Sequence, residues 1–281
     1  MSAGRAGELG QSADRVRAHI LRRANAAGNN GAHIAPSLCE AEILTVLFQE
    51  VLYKNEEDRT DPARDRFILS KGHGALGYYA AMYEAGMITE GEFFSFEVNG
   101  GNFPGQPSKH PEHRIEYSSG SLGLGLSYGI GLARSEACRR HPFRVFVYMG
   151  DGELNEGTIW ESAMYAGFHK LSNIVGIVDH NSMQSDGASS DILLFDIAGM
   201  WKACGWAVVP CDGHDPEQLL SAFSAAHEDR PLLILAETVK GRGVPFMENA
   251  AEWHHSRLTD AQLEEALAAI ERDRQYNHGN Q

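Results

Sequence analysis

Val145-Phe146-Val147-Tyr148-Met149-Gly150-Asp151-Gly152-Glu153, and after it Ile174-Val175-Gly176-Ile177-Val178-Asp179-His180-Asn181, decide the fold of this chain. Each begins as a short apolar run rich in strand-forming residues and ends in small or oxygen-bearing ones, while residues 157–170 between them carry a helical pattern. Strand, crossover helix and parallel strand make one βαβ unit. The alternation continues downstream: a loop at 180–191, helix 194–203, strand 206–210, helix 215–227 and strand 231–236. Upstream, Arg66-Phe67-Ile68-Leu69-Ser70 is a further strand candidate. Alternating strands and helices imply an α/β chain with a doubly wound, mostly parallel sheet and helices on both faces.

Farther out, Val16, Ile20, Leu21 and Ala24 share one face of a helix over 12–27, which Gly28-Asn29-Asn30-Gly31 ends. Ser37 with Glu40 reads as a capping box ahead of a helix carrying Ile43, Leu44, Leu47, Phe48 and Val51, which puts His33 at a helix entrance. Lys71-Gly72-His73-Gly74 is a turn between a strand and an apolar helix. Thr89 with Glu92, and Thr259 with Gln262 before Leu263, Leu267 and Ile270, are two more capping boxes. Residues 99–125, rich in Gly, Pro, Asn and Ser, form a long loop of the kind that is usually functional. The expectation is one domain over 1–281 with loose ends at 1–11 and 275–281.

A net charge of −14 argues against nucleic acid as a partner, because phosphate neutralisation needs a surplus of Lys and Arg. Any phosphate must be met locally. The longest apolar runs are strand-sized, short of the ~20 residues that span a bilayer, so no membrane is expected. Cys39, Cys138, Cys204 and Cys211 show no zinc-like spacing and read as reduced thiols in a cytoplasmic protein.

Ligands of doubly wound sheets bind beyond the carboxyl ends of the strands, where this sequence puts Asp151 and Asn181, thirty positions apart. A carboxylate and an amide carbonyl are hard oxygen ligands suited to Mg²⁺, which completes its octahedron with phosphate oxygens and water. Gly152, at the start of the next helix, lets a phosphate approach a backbone N–H. A Mg²⁺-diphosphate site is implied.

Gly150-Asp151-Gly152 followed by Asn181 resembles the thiamine-diphosphate signature of transketolases, decarboxylases and the α subunits of keto-acid dehydrogenases. Five further stretches resemble transketolase in particular: Ala32-His33-Ile34-Ala35-Pro36-Ser37-Leu38, Leu69-Ser70-Lys71-Gly72-His73-Gly74, Ser119-Gly120-Ser121-Leu122-Gly123, Glu153-Leu154-Asn155-Glu156-Gly157 and Thr238-Val239-Lys240-Gly241. Trp253-His254 closes the match, which is collinear from about residue 12 to 258. The resemblance implies thiamine diphosphate with Mg²⁺, for which Ca²⁺ or Mn²⁺ can substitute, and Asp151, Asn181 and the Met183 carbonyl as metal ligands. It implies His33, His73 and His254 as catalytic residues, with His73 and His254 also on the diphosphate and lending it positive character. Gly120 and Leu122 would line the cofactor, and Glu156 would link distant sites across a subunit contact, although an acid there also suits a helix N-terminus. Lys240 reads either as an aid to the phosphate or, more simply, as a solvated lysine, and His255 as the alternative to His254.

In that family the glutamate that activates the cofactor, and the arginines that grip substrate phosphate, lie on a second domain beyond the span of this chain. The resemblance therefore implies a split enzyme: an N-terminal subunit that pairs with a complementary transketolase C-terminal subunit, in an α2β2 assembly, and transfers a two-carbon ketol unit between small sugar phosphates. Two positions depart from the pattern. Gln106 stands where the family has a histidine that contacts the donor, with His110 four positions on, and Leu124 stands where many members have Gln. Other donors such as pyruvate or a deoxy-ketose, a keto-acid dehydrogenase subunit, and a non-catalytic cofactor-binding subunit stay open on the sequence alone.

Overall fold

Strands β1 (Arg66–Leu69), β2 (Val145–Gly150), β3 (Ile174–His180), β4 (Ala207–Asp212) and β5 (Leu232–Glu237) form one parallel sheet in the order β1-β2-β3-β5-β4. The computed structural model describes residues 3–52, 61, 63–135, 143–193, 195–227 and 229–278. In chain order the main helices are α1 (Ala3–Ala26), α2 (Ala41–Val46), α3 (Ala75–Glu84), α4 (Glu90–Phe94), α5 (Leu124–Ser135), α6 (Gly157–Phe168), α7 (Ile197–Ala203), α8 (Pro216–Phe223) and α9 (Asp260–His278).

The strands read as continuous apolar runs because both faces of the sheet are covered. Phe146 and Tyr148 of β2, with Val175 and Ile177 of β3, join a core built with α1, α2, α3, α8 and α9. Val145, Val147, Met149, Ile174 and Val178 point the other way, into a core closed by α5, α6 and α7. The doubly wound expectation holds, and every strand delivers its carboxyl end to one edge.

Several expected details differ. Helix α1 begins at Ala3, not residue 12, and Leu9 is fully buried, so residues 3–11 are helical rather than loose. The Ser37–Glu40 capping box does not form: Ala35–Leu38 is a separate helical turn in which Ser37 Oγ donates to His33 O at 2.8 Å, and Glu40 makes no cap bond. Glu40 instead turns inward to Lys71 Nζ at 3.1 Å. The other two boxes do form, with Glu92 N donating to Thr89 Oγ1 and Gln262 N to Thr259 Oγ1, each at 3.3 Å. Helix 194–203 starts at Ile197, where Asp196 accepts from Gly199 N; Leu194 lies outside the described residues. Helix 215–227 shortens to Pro216–Phe223, and the loop at 180–191 contains a helical turn, Ser189–Ile192. Helix α9 reaches His278, so the expected loose end begins no earlier than 279, outside the described residues.

Candidate active site

A cavity of about 160 Å³ opens at the carboxyl edge of the sheet. Asp151, Gly152, Asn181 and Met183 line it, with Leu122, His73, His254, Lys71 and Lys240. Parallel pairing is what brings the first of these together. Gly150 of β2 pairs with Asp179 of β3, so the residues that leave the two strands, Asp151 and then Asn181, emerge side by side.

Asp151 is buried, and its Oδ1 accepts from Gly152 N at 2.8 Å, so the N–H expected to meet phosphate is already engaged. Burial, and then the charge of Asp179, push its carboxyl up to about 6. Asn181 donates from Nδ2 to Asp179 Oδ2 at 3.2 Å and accepts at Oδ1 from Met183 N at 3.0 Å. Ser182, at φ +59°, folds the chain back to make that turn. A poorly solvated carboxylate beside an amide oxygen and a backbone carbonyl is an oxygen-donor set of the sort hard divalent cations take. Among the described residues no cluster of three or more His, Cys, Asp or Glu offers a different metal centre.

Three histidines from three separate segments form a triangle, with ring centroids 5.8 Å apart for His33 and His73, and 5.3 Å for His254 with either. A bridge between Ala32 and Ser256 ties the first segment to the last. It depends on Gly31, whose φ of +70° leaves no room for a Cβ, 2.9 Å from Ser256 O. Burial, and then neighbouring cationic groups, lower His33 to about 4 and His254 to about 3, and hold His73 well below its ordinary value. Burial thus disfavours the charged form of all three rings. His255 is exposed, 4.6 Å from His33, whereas His254 lines the cavity, with Nδ1 buried and without a hydrogen-bond partner.

Lys240, expected to be solvated, is 2% exposed and donates to Gln184 O at 2.8 Å. It lines the cavity together with Lys71, so the cationic groups here are lysines. Sequence reasoning missed Lys71, Asp179 and Glu153. All three are charged residues at or just after the carboxyl ends of apolar strands, and that placement was the available signal. Glu153 accepts from Ser70 Oγ, from Gly123 N at 2.7 Å and from Gly150 N at 3.3 Å, and so joins three of the family-like motifs. His214 was missed too: it accepts from Val239 N at 2.9 Å and pairs with Glu42, which Arg17 holds in turn, anchoring the segment before Lys240.

Gln106 does not line the cavity. Its Oε1 packs over Gly72 at the point where a Cβ would stand, and Ser119 Oγ lies 2.6 Å from the same point, so only glycine fits at the turn that carries His73. Neither oxygen has a hydrogen-bond partner. His110 bridges to Ile115 and stacks on His113, away from the cavity. Gly120 and Glu156 are exposed, Leu122 is 37% exposed, and Glu156 makes no side-chain cap bond to α6.

Residues 11–275 match the family described as "Transketolase, thiamine diphosphate binding domain". The chain is 36% identical over 265 residues to one subunit of the apulose-4-phosphate transketolase of Actinobacillus succinogenes, covering 94% of this chain and 96% of that one. It is 33% identical over 244 residues to one subunit of a 6-deoxy-6-sulfo-D-fructose transketolase of a Clostridium species, covering 86% and 89%. Among solved structures, a transketolase from Leishmania mexicana superposes with a TM-score of 0.82 at 26% identity, covering 98% of this chain and 42% of that longer one.

Proposed function

The chain belongs to the family of transketolase thiamine-diphosphate-binding domains, and from that premise we propose that it is the cofactor-binding subunit of a two-chain transketolase. With a complementary C-terminal subunit it moves a two-carbon ketol unit from a ketose donor to an aldehyde acceptor. The observation that carries this reading is the arrangement at the carboxyl edge: Asp151 and Asn181, from adjacent strands, share one cavity with His73 and His254, and His33 stands beside those two histidines.

Asp151, Asn181 and the Met183 carbonyl hold Mg²⁺, or Ca²⁺ or Mn²⁺ in its place. The donor set fits: a buried carboxylate at the cavity beside an amide oxygen and a backbone carbonyl. His73 and His254 meet the diphosphate, with Lys240 adding charge; Gly152, whose N–H is held by Asp151, lets the phosphate come close by having no side chain, and Gly120 and Leu122 border the cofactor's rings. When bound, thiamine diphosphate supplies the electron sink that ketol cleavage needs. The chain's own part is orientation and proton handling. His33, His73 and His254 each carry a ring nitrogen that can accept a proton and return it.

Met164, Tyr165 and Phe168 of α6, the last 83% exposed, with Leu124 of α5, support a protein partner on that side; the α2β2 assembly is proposed from the family resemblance. The free Cys39, Cys204 and Cys211 support a cytoplasmic setting; Cys138 lies outside the described residues. Among the described residues no helix is long and apolar enough to cross a membrane. The donor is a ketose phosphate or a close analogue, and the relatives' names, which differ in the sugar, support a donor set separately from the fold. Donor panels on the two-chain complex test this reading: ketoses should yield the aldehyde two carbons shorter, and exclusive use of pyruvate would contradict it.

A further inference from the structure

Asp179 closes β3 with its side chain fully buried. Lys71 Nζ donates to its Oδ2 at 2.6 Å, Cys39 Sγ at 3.1 Å and Asn181 Nδ2 at 3.2 Å, while Thr238 Oγ1 donates to Oδ1. An amide side chain has an acceptor at one end and a donor at the other, and only the oxygen end ligates a cation. A carboxylate only accepts, so Asp179 selects the Nδ2 end of Asn181. The Met183 backbone N–H only donates, so it selects Oδ1. These two partners leave the amide one orientation, with Oδ1 turned from the buried carboxylate toward Met183, which lines the cavity as Asn181 does. Lys71 is fixed in turn by Glu40 at 3.1 Å and Pro36 O at 3.2 Å, so the carboxylate cannot swing away.

We propose that Asp179, braced by Lys71 and Thr238, is a positioning residue that aims Asn181 Oδ1 at the divalent ion shared with Asp151 and Met183. The inference rests on the metal-site reading of those three residues. Asp179→Asn would not test this, because Lys71 keeps an oxygen at the Oδ2 position and the new NH₂ turns to Thr238; Asp179→Leu keeps the approximate size but offers Asn181 Nδ2 no acceptor, which frees the amide to turn Oδ1 from the ion. Groups that orient metal ligands typically change affinity by 10- to 100-fold.

The test is Mn²⁺ affinity, read from the electron paramagnetic resonance of the free ion, for the two-chain complex with thiamine diphosphate. Asp179→Leu should weaken Mn²⁺ binding at least about tenfold. In an Asn181→Asp background the same change should cause no further loss, because the two oxygens of a carboxylate are equivalent and need no orienting. Equal losses in both backgrounds, or no loss in the first, would overturn the inference and leave the metal site standing. If the unaltered complex bound no Mn²⁺, the metal-site reading would fall and the inference with it. Should Asp179→Leu not fold, Thr238→Val removes one brace and should weaken Mn²⁺ in the Asn181 protein but not in the Asn181→Asp background.

Discussion

Asp151 and His33 are both held away from their usual protonation behaviour by burial, and each yields a measurable consequence. Asp151→Ala removes the one charged ligand of the proposed metal site, so Mg²⁺-dependent binding of thiamine diphosphate should weaken at least about tenfold. Unchanged binding by calorimetry would take Asp151 out of the site. For His33 the folded value of about 4 lies below the unfolded 6.5, so the unfolded chain binds more protons between those values. Stability attributable to His33 is therefore complete above about pH 6.5 and falls as pH drops toward 4. His33→Asn should flatten that part of the melting-temperature profile of the cofactor-free chain, and an unaltered slope would contradict the burial argument. Gln106, packed over the turn that carries His73, stands where the family has a donor-contacting histidine. One altered hydrogen bond shifts specificity by roughly 5-fold to over 100-fold. Gln106→His should raise kcat/KM for ordinary ketose phosphates relative to the natural donor, with cofactor binding unchanged; an equal response of both donors would remove Gln106 from donor choice.

Among the elements, the strands of the sheet were readable because burial on both faces leaves each one apolar throughout, and the two surviving capping boxes because they are exposed and locally determined. The Ser37–Glu40 box failed for a tertiary reason: buried Lys71 offers Glu40 a stronger partner than a backbone N–H does. The early start of α1 was hidden by Gly4, Gly7 and Gly10, whose weak helix propensity is overridden where Leu9 and Ala13 pack in the core. That Asp151, Asn181, His73 and His254 come together at one cavity was foreseeable because each lies within a motif at a loop. The charges beneath them were not, since pairs such as Lys71 with Asp179 join segments 108 positions apart and only folding reveals them. Glu153 gives this a test. Glu153→Gln turns one of its acceptor oxygens into a donor facing N–H groups, which should cost about 1–3 kcal/mol of stability in urea unfolding. An unchanged midpoint would mean that the three motifs are held together by other contacts.

For the whole molecule, the chain matches the Actinobacillus relative over 96% of that protein's length but only 42% of the Leishmania enzyme, and it presents Phe168, Met164 and Tyr165 outward from α6. A large side chain such as Phe168, exposed amid other apolar groups, is the pattern of a surface that a partner covers. In the proposed reading, the cavity at the sheet edge is half of a site that the complementary chain completes. The decisive measurement is ketol transfer by the purified chain, with thiamine diphosphate, Mg²⁺, a ketose donor and an aldehyde acceptor, before and after the complementary chain is added. No turnover alone and clear turnover on addition is the predicted result; robust turnover by this chain alone, with contaminating transketolase excluded, would contradict it.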